Sequence, residues 1–260
     1  MSEFDNATAV TPDGAATIRD GWDINGNANG GYLMAMAARA MRATCGRRDP
    51  ISVTAHYLAP GKPGPVQIDS TVVKSGRRFS TVSAQMHAAG RPIVQLVGAF
   101  GDLSDVKSFE HAAGGPPELP RFDECQPRDR RQGPTDAAFS ERIDVRLHPD
   151  HVGWLHGQRN GDAEMAGWFA FRDGRPLDTL ALLMVCDAFP PAVFHLDMPA
   201  GWVPTVEYTV HVRAVPAPGP LMCVFRTQFV SSGFLDEDGE VWDSSGRLVA
   251  QSRQLGLTPL

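Results

Sequence analysis

Between Ile51 and Phe100 apolar and polar positions alternate with period two, in runs cut by Gly and Pro. The segments ISVTAHYLAP, GPVQIDSTVVKSG, RFSTVSAQMHAAG and RPIVQLVGAFG therefore predict four successive strands of an antiparallel meander. The pattern upstream is different. Tyr32 to Thr44 is a run of small and apolar residues that predicts a helix closed by Gly46. Ala35, Ala37, Ala38 and Ala40 make this helix thin enough to lie tightly against a sheet. The NGNANGG stretch before it is too rich in Gly and Asn for regular structure, and Ala7 to Asp20 predict a short hairpin turning at Pro12-Asp13-Gly14.

Gly101 to Pro134 loses all periodicity and is proline-rich and charged, as a linker is. The earlier order then returns. DVRLHPD and AGWFAFRDGRP predict a hairpin, and strands run from Thr205 to the C-terminus. Between them Leu177 to Phe194, LDTLALLMVCDAFPPAVF, predicts one buried helix, apolar almost all round and stopped at Pro190-Pro191. The two meanders overlay: Gly64-Pro65 falls on Gly219-Pro220, and Gly90, Arg91 and Gln95 fall on Gly246, Arg247 and Gln251. A repeat of this length implies two copies of one α+β unit packed as a pseudo-dimer. The expected organisation is an N-terminal unit over 1–105, a proline-rich linker over 106–135 and a C-terminal unit over 136–260.

Composition narrows the function classes. The 260 residues are 42% hydrophobic and 21% charged, enough for a normal core, and the net charge of -6 argues against a nucleic-acid surface. The N-terminus MSEFDNATAV has neither the basic nor the apolar region of a signal peptide, and no apolar run reaches the length of a membrane span. Cys45, Cys125, Cys186 and Cys223 are scattered, without a CxxC pair. Reduced thiols in a cytoplasmic protein are the expectation, with no bound metal.

The candidate chemistry lies where the two halves differ. Asp187 is the one acid near the end of the apolar C-terminal helix, whereas YLMAMAARAM in the N-terminal half has none. Burial and the negative end of the helix dipole both disfavour a carboxylate there, so a bland reading turns it sideways into water. Parity puts Leu248, Ala250, Ser252 and Gln254 on one face of the last strand, with Gln254 aimed at the helix that holds Asp187. Thr205 opens the strand after that helix. An acid, a hydroxyl and an amide converging in an apolar cleft hold and polarise a water; read singly, Thr205 is a strand-edge residue and Gln254 a buried amide. Gly30 and Gly31, at the start of the first helix, offer backbone N–H groups to an anion or a carbonyl oxygen, or simply permit close packing.

GGYLMAMAARAM leading into SVTAHYLAPGKPG and then GRPIVQLVGAFG resembles the hot-dog fold, a helix wrapped by an antiparallel sheet. Two copies in one chain resemble the double hot-dog acyl-CoA thioesterases of the thioesterase II type. The resemblance covers nearly the whole chain and carries the family's water-activating roles onto VCDAF, PTVEY and QSRQLG, that is, onto Asp187, Thr205 and Gln254. It implies an acyl-CoA substrate, no cofactor beyond the coenzyme A of that substrate, an apolar tunnel between the halves, and a homo-oligomer of double hot-dogs. Glu207 is a departure: it stands where an Asp followed by His is common, which brings a second acid near the site. Arg77 and Arg78 are candidate contacts for the coenzyme A phosphates, against the alternative of an ordinary charged turn. A non-catalytic acyl-binding module and a hot-dog hydratase or dehydratase are the rival readings.

Overall fold

The computed structural model describes residues 1–103, 109, 111–132, 135–198 and 201–259. The N-terminal half runs α1 (Glu3–Ala7), β1 (Ala15–Ile18), β2 (Asp23–Ile24), β3 (Asn27–Ala28), α2 (Gly30–Cys45), β4 (Asp49–Tyr57), β5 (Gly64–Ser75), β6 (Ser80–Ala88) and β7 (Arg91–Gly101). The C-terminal half runs β8 (Gln126–Pro127), β9 (Ile143–Leu147), β10 (Glu164–Phe171), α3 (Ala181–Val185), β11 (Thr205–Val212), β12 (Leu221–Arg226), β13 (Val230–Ser231), β14 (Phe234–Trp242) and β15 (Leu248–Leu257). All strands but β2 and β3 join one antiparallel sheet, in the order β1-β5-β6-β7-β4-β11-β15-β14-β12-β10-β9-β8, with β13 beside β14.

The order is the same word written twice. β1-β5-β6-β7-β4 in one half corresponds to β10-β12-β14-β15-β11 in the other, joined back to back through β4 and β11. The register repeats as well: Gln67 pairs His87 as Met222 pairs Trp242, and Val53 pairs Gly98 as Tyr208 pairs Gln254. Gly64 and Gly219 open equivalent strands with φ of 142° and 121°, and Gly90 and Gly246 turn equivalent hairpins at 73° and 77°. Those angles explain why the repeat keeps Gly there. Thr54 pairs Thr209 across the β4–β11 seam, with their hydroxyls 2.8 Å apart. These two are equivalents in the repeat, so the pseudo-two-fold axis passes between them, as in an isologous dimer interface. The tandem hot-dog architecture expected from the sequence is the one observed.

Helix α2 sits inside its sheet with Tyr32 to Ala38 buried throughout, and it packs on α3 across the interface of the halves. It begins two residues before the predicted Tyr32, capped by the Asn29 side chain on Tyr32 N–H, and ends at Gly46 in the left-handed region. Two expectations need correction, and one element was not foreseen. The C-terminal helix does not run from Leu177 to Phe194; its α-helical core is Ala181–Val185, followed by turns and a 3-10 segment at Ala192–His195. Glu3–Ala7, for which no element was predicted, is a short helix. Within the expected linker, Phe122–Glu124 form a 3-10 turn and Gln126–Pro127 pair with β9, so this part belongs to the C-terminal sheet. Residues 104–108, 110, 133 and 134 of the expected linker region lie outside the described residues. No helix among the described residues is long and apolar enough to cross a membrane.

Candidate active site

The two prolines that shorten the C-terminal helix also build the site. A continuing α-helix would place Pro190 and Pro191 as partners of the Cys186 and Asp187 carbonyls, but neither proline has an N–H to give. Both carbonyls are satisfied from elsewhere: the Tyr208 hydroxyl donates to Cys186 O, and the Asn29 side-chain amide donates to Asp187 O at 2.8 Å. The same Asn29 amide lies 2.9 Å from Asp187 Oδ2, and Gly31 N–H donates to that oxygen at 2.7 Å. Asp187 therefore sits against the N-terminus of α2, which reverses the expected electrostatics. The positive end of a neighbouring helix faces the carboxylate rather than the negative end of its own.

Burial still dominates. It pushes the Asp187 carboxyl up to about 6, and the donors at Gly31, Gly30 and Asn29 hold it down against a larger rise. The bonds from Asn29 and Gly31 both fall on Oδ2. The side chain lines a cavity of about 320 Å³ between the halves.

Thr205 and Gln254 line the same cavity and touch each other, with Gln254 Nε2 donating to Thr205 Oγ1 at 2.5 Å. Gln254 is on the inward face of β15, as parity requires, beside buried Ser252. Neither residue bonds Asp187 directly; the three face one space. Gly30 lines that space too, whereas the Gly31 N–H is committed to Asp187 rather than open to a ligand. Glu207 follows a bulge in β11 and accepts from the Thr209 hydroxyl at 2.6 Å; it does not line the cavity. Arg77 and Arg78 stand exposed at the turn between β5 and β6 and line no part of it.

Three contributors escaped the sequence reading. Asn29 carries a readable signal, an Asn immediately before a Gly-Gly helix start, which is the N-cap position. Tyr57 ends β4 and brings its hydroxyl into the cavity from the N-terminal half, buried and without a hydrogen-bond partner among the described residues. A Cβ placed on Gly30 would meet Tyr57 Oη at 2.9 Å and Asp187 Oδ2 at 3.0 Å, so both oxygens flank the gap that this glycine leaves open. Burial, then the charges of Asp187 and Glu207, raise the Tyr57 phenol well above its ordinary value, and it remains a donor. Glu237, opposite Gln254 on β14, is a second acid in the cavity wall. Its carboxylate accepts Ala192 N–H at 2.7 Å, and burial, with a smaller push from Asp187, lifts it to about 7. No cluster of metal-ligating side chains occurs among the described residues.

Comparisons with known proteins agree with this architecture over the whole chain. The acyl-CoA thioesterase N-terminal domain profile matches residues 18–101, and the C-terminal domain profile matches residues 122–258. A candidate thioesterase II from Thermobifida fusca YX is 35% identical, superposes with a TM-score of 0.90, and is matched over 100% of this chain and 98% of its own. A hot-dog protein of unknown function from Alicyclobacillus acidocaldarius is 25% identical with a TM-score of 0.88, over 100% of this chain and 99% of its own. An uncharacterized protein of Mycobacterium tuberculosis is 28% identical over 93% of this chain and 89% of its own length. With two matched domain profiles in tandem and a sheet that repeats its own register, the chain belongs to the acyl-CoA thioesterase family.

Proposed function

We propose that the protein hydrolyses an acyl-CoA thioester, converting R–CO–S–CoA and water into R–COOH and HS–CoA. The observation that carries this reading is the ionisable Asp187, at the junction of the halves, its Oδ2 held by Asn29 and Gly31 and its side chain lining the cavity. Asp187 takes the proton of a water that the Thr205–Gln254 pair orients, and the water oxygen attacks the thioester carbon. Charge gathers on the carbonyl oxygen. Because Gly31 N–H is given to Asp187, the unpartnered Tyr57 hydroxyl is the donor best placed for that oxygen. Collapse expels the coenzyme A sulfur, which leaves protonated as the thiol. No cofactor is needed, and coenzyme A enters with the substrate.

The decisive experiment is thiol release from a panel of acyl-CoAs by purified protein. Turnover supports the reading; a folded protein inert across short, long, branched and aromatic acyl groups overturns it. A pure acyl-binding module is disfavoured because an enclosed, ionisable carboxylate weakens an apolar binding site without serving it.

The pH profile follows from the sign of the Asp187 shift. A base must be deprotonated, so kcat is expected to be flat above about pH 6 and to fall about tenfold per unit below it. A profile flat down to the ordinary carboxylate range would remove Asp187 from the chemistry. Tyr57→Phe separates catalysis from packing. The hydroxyl is buried without a partner, and deleting it relieves a penalty of about 1–3 kcal/mol. The variant is expected to melt at or above the wild-type temperature while kcat falls by about 10²-fold, as for removal of one oxyanion donor. Unchanged kcat would show that the hydroxyl is a spectator.

A further inference from the structure

Besides its two acids the cavity is lined by one cation among the described residues, and hydrolysis does not use it. Arg128 follows β8 and is tied to β9 by its backbone N–H on Val145 O at 2.8 Å. The residue is 6% exposed and lines the same cavity as Asp187. Its Nη1 donates to the carbonyls of Asp129 and Gln132, and the guanidinium lies 5.7 Å from the Trp154 ring. Nε and Nη2 have no partner among the described residues, and no described carboxylate pairs with Arg128. Burial lowers it to about 10, so it stays cationic, and only the exposed neighbour Asp129 acts on it electrostatically.

The rest of the fold treats a buried arginine differently. Arg175 is also deeply buried, its side chain 8% exposed, and it binds both Asp5 and Asp178. A guanidinium removed from water without a counter-charge is costly, and its planar fork suits a carboxylate better than any neutral group. Arg128 lines the cavity with three of its five N–H donors, those of Nε and Nη2, unspent among the described residues. The arginine and the acid on β14 stand at different strands of the cavity wall. β9, to which Arg128 is anchored, is three strand positions from β14, which carries Glu237. That is roughly 14 Å along the sheet at ~4.8 Å per strand. Phe139, Ile143 and Val145 line the Arg128 region of the cavity with apolar side chains.

We propose that Arg128 receives a carboxylate at the far end of the acyl chain, so that the preferred substrates are ω-carboxyacyl thioesters, the mono-CoA esters of dicarboxylic acids. The inference rests on the thioesterase reading for its reaction but not for its binding. A second source of negative charge is coenzyme A itself, but its phosphates travel on a large polar headgroup, and Arg128 lies inside the protein.

The test compares adipoyl-, suberoyl- and sebacoyl-CoA with hexanoyl-, octanoyl- and decanoyl-CoA, on wild type and Arg128→Met. Wild type is expected to favour the carboxylated member of at least one length pair by about 10²-fold or more in kcat/KM, and Arg128→Met to collapse or invert that ratio. Arg128→Lys, which keeps the charge without the fork, is expected to retain an intermediate preference. A parallel arm titrates wild type and Asp187→Asn with free suberate and octanoate, read by tryptophan fluorescence and calorimetry, and measures free coenzyme A affinity for Arg128→Met. Arg128-dependent preference for suberate without hydrolysis of any thioester upholds this proposal and removes the thioesterase reading. Hydrolysis with no preference at any length, or a preference that Arg128→Met leaves intact, overturns it. So does a loss confined to coenzyme A affinity. Should Arg128→Met not fold, equal binding of suberate and octanoate by wild type still overturns the proposal.

Discussion

Asp187→Asn is expected to abolish hydrolysis and to make the protein more stable. The amide cannot take a proton from water, so kcat should fall by about 10³-fold or more, toward the upper part of the range for a lost general base. The stability gain comes from the same burial that tunes the acid. Asp187 is pushed up to about 6, so the folded state favours the protonated carboxyl. The stabilisation that this proton confers is complete below the unfolded value and lost as pH rises through about 6. At neutral pH the wild type therefore carries an ionised group that costs on the order of 3 kcal/mol relative to a neutral one. Asn is neutral at every pH, and its carbonyl can still accept from Gly31 N–H. The measurement is thermal melting across pH: the variant should melt above wild type at pH 8, and the gap should close near pH 4. A variant less stable than wild type at pH 8 would show that the charge on Asp187 holds the two halves together.

Gly31→Ala is expected to lower stability and activity together. A Cβ at Gly31 would stand 2.8 Å from Asp187 Cβ, 2.8 Å from Leu183 O and 2.9 Å from Met184 Cα. Two of those atoms are backbone of the facing helix and cannot rotate aside, so α2 and α3 must separate. Overpacking of this kind costs about 1–3 kcal/mol, and the shift also lengthens the bond from Gly31 N–H to Asp187. Both melting temperature and kcat should drop. Gly30→Ala makes the instructive contrast, since its Cβ meets the Tyr57 and Asp187 oxygens rather than helix backbone. It should block the cavity while leaving stability nearer to wild type. Equal melting temperatures for Gly31→Ala and wild type would refute the close helix contact.

The sheet was readable because its signals are local and occur twice. Period-two alternation marks the strands, and Gly64, Gly219, Gly90 and Gly246 mark turns whose positive φ only glycine adopts easily. Asp187, Thr205 and Gln254 were readable because each breaks the pattern of its own element. The length of the second helix was not readable, since hydropathy around Cys186 and Asp187 does not reveal that the prolines leave two carbonyls to be capped by Tyr208 and Asn29. Tyr57 and Glu237 look like ordinary strand residues of alternating runs. Their importance arises only when β4 and β14 converge on one cavity from different halves.

The seam at Thr54 and Thr209 implies two equivalent crevices, one on each side of the axis. One of them is the cavity around Asp187. Asn29 caps α2 on Tyr32 and Asp178 caps the opposite helix on Ala181, and by that correspondence Ala38 stands where Asp187 does. The crevice on that side is stoppered: α1 drops Phe4 against Phe171, and its Asp5 gathers Arg39 and Arg175, the latter also bound to Asp178. Two units joined in one chain are free of the symmetry that binds two copies. A true homodimer must carry any improvement, and any damage, in both of its sites at once. Here one crevice became a clamp that fastens the N-terminus, and the other could accumulate an acid, an amide and a tyrosine that no symmetric partner had to share.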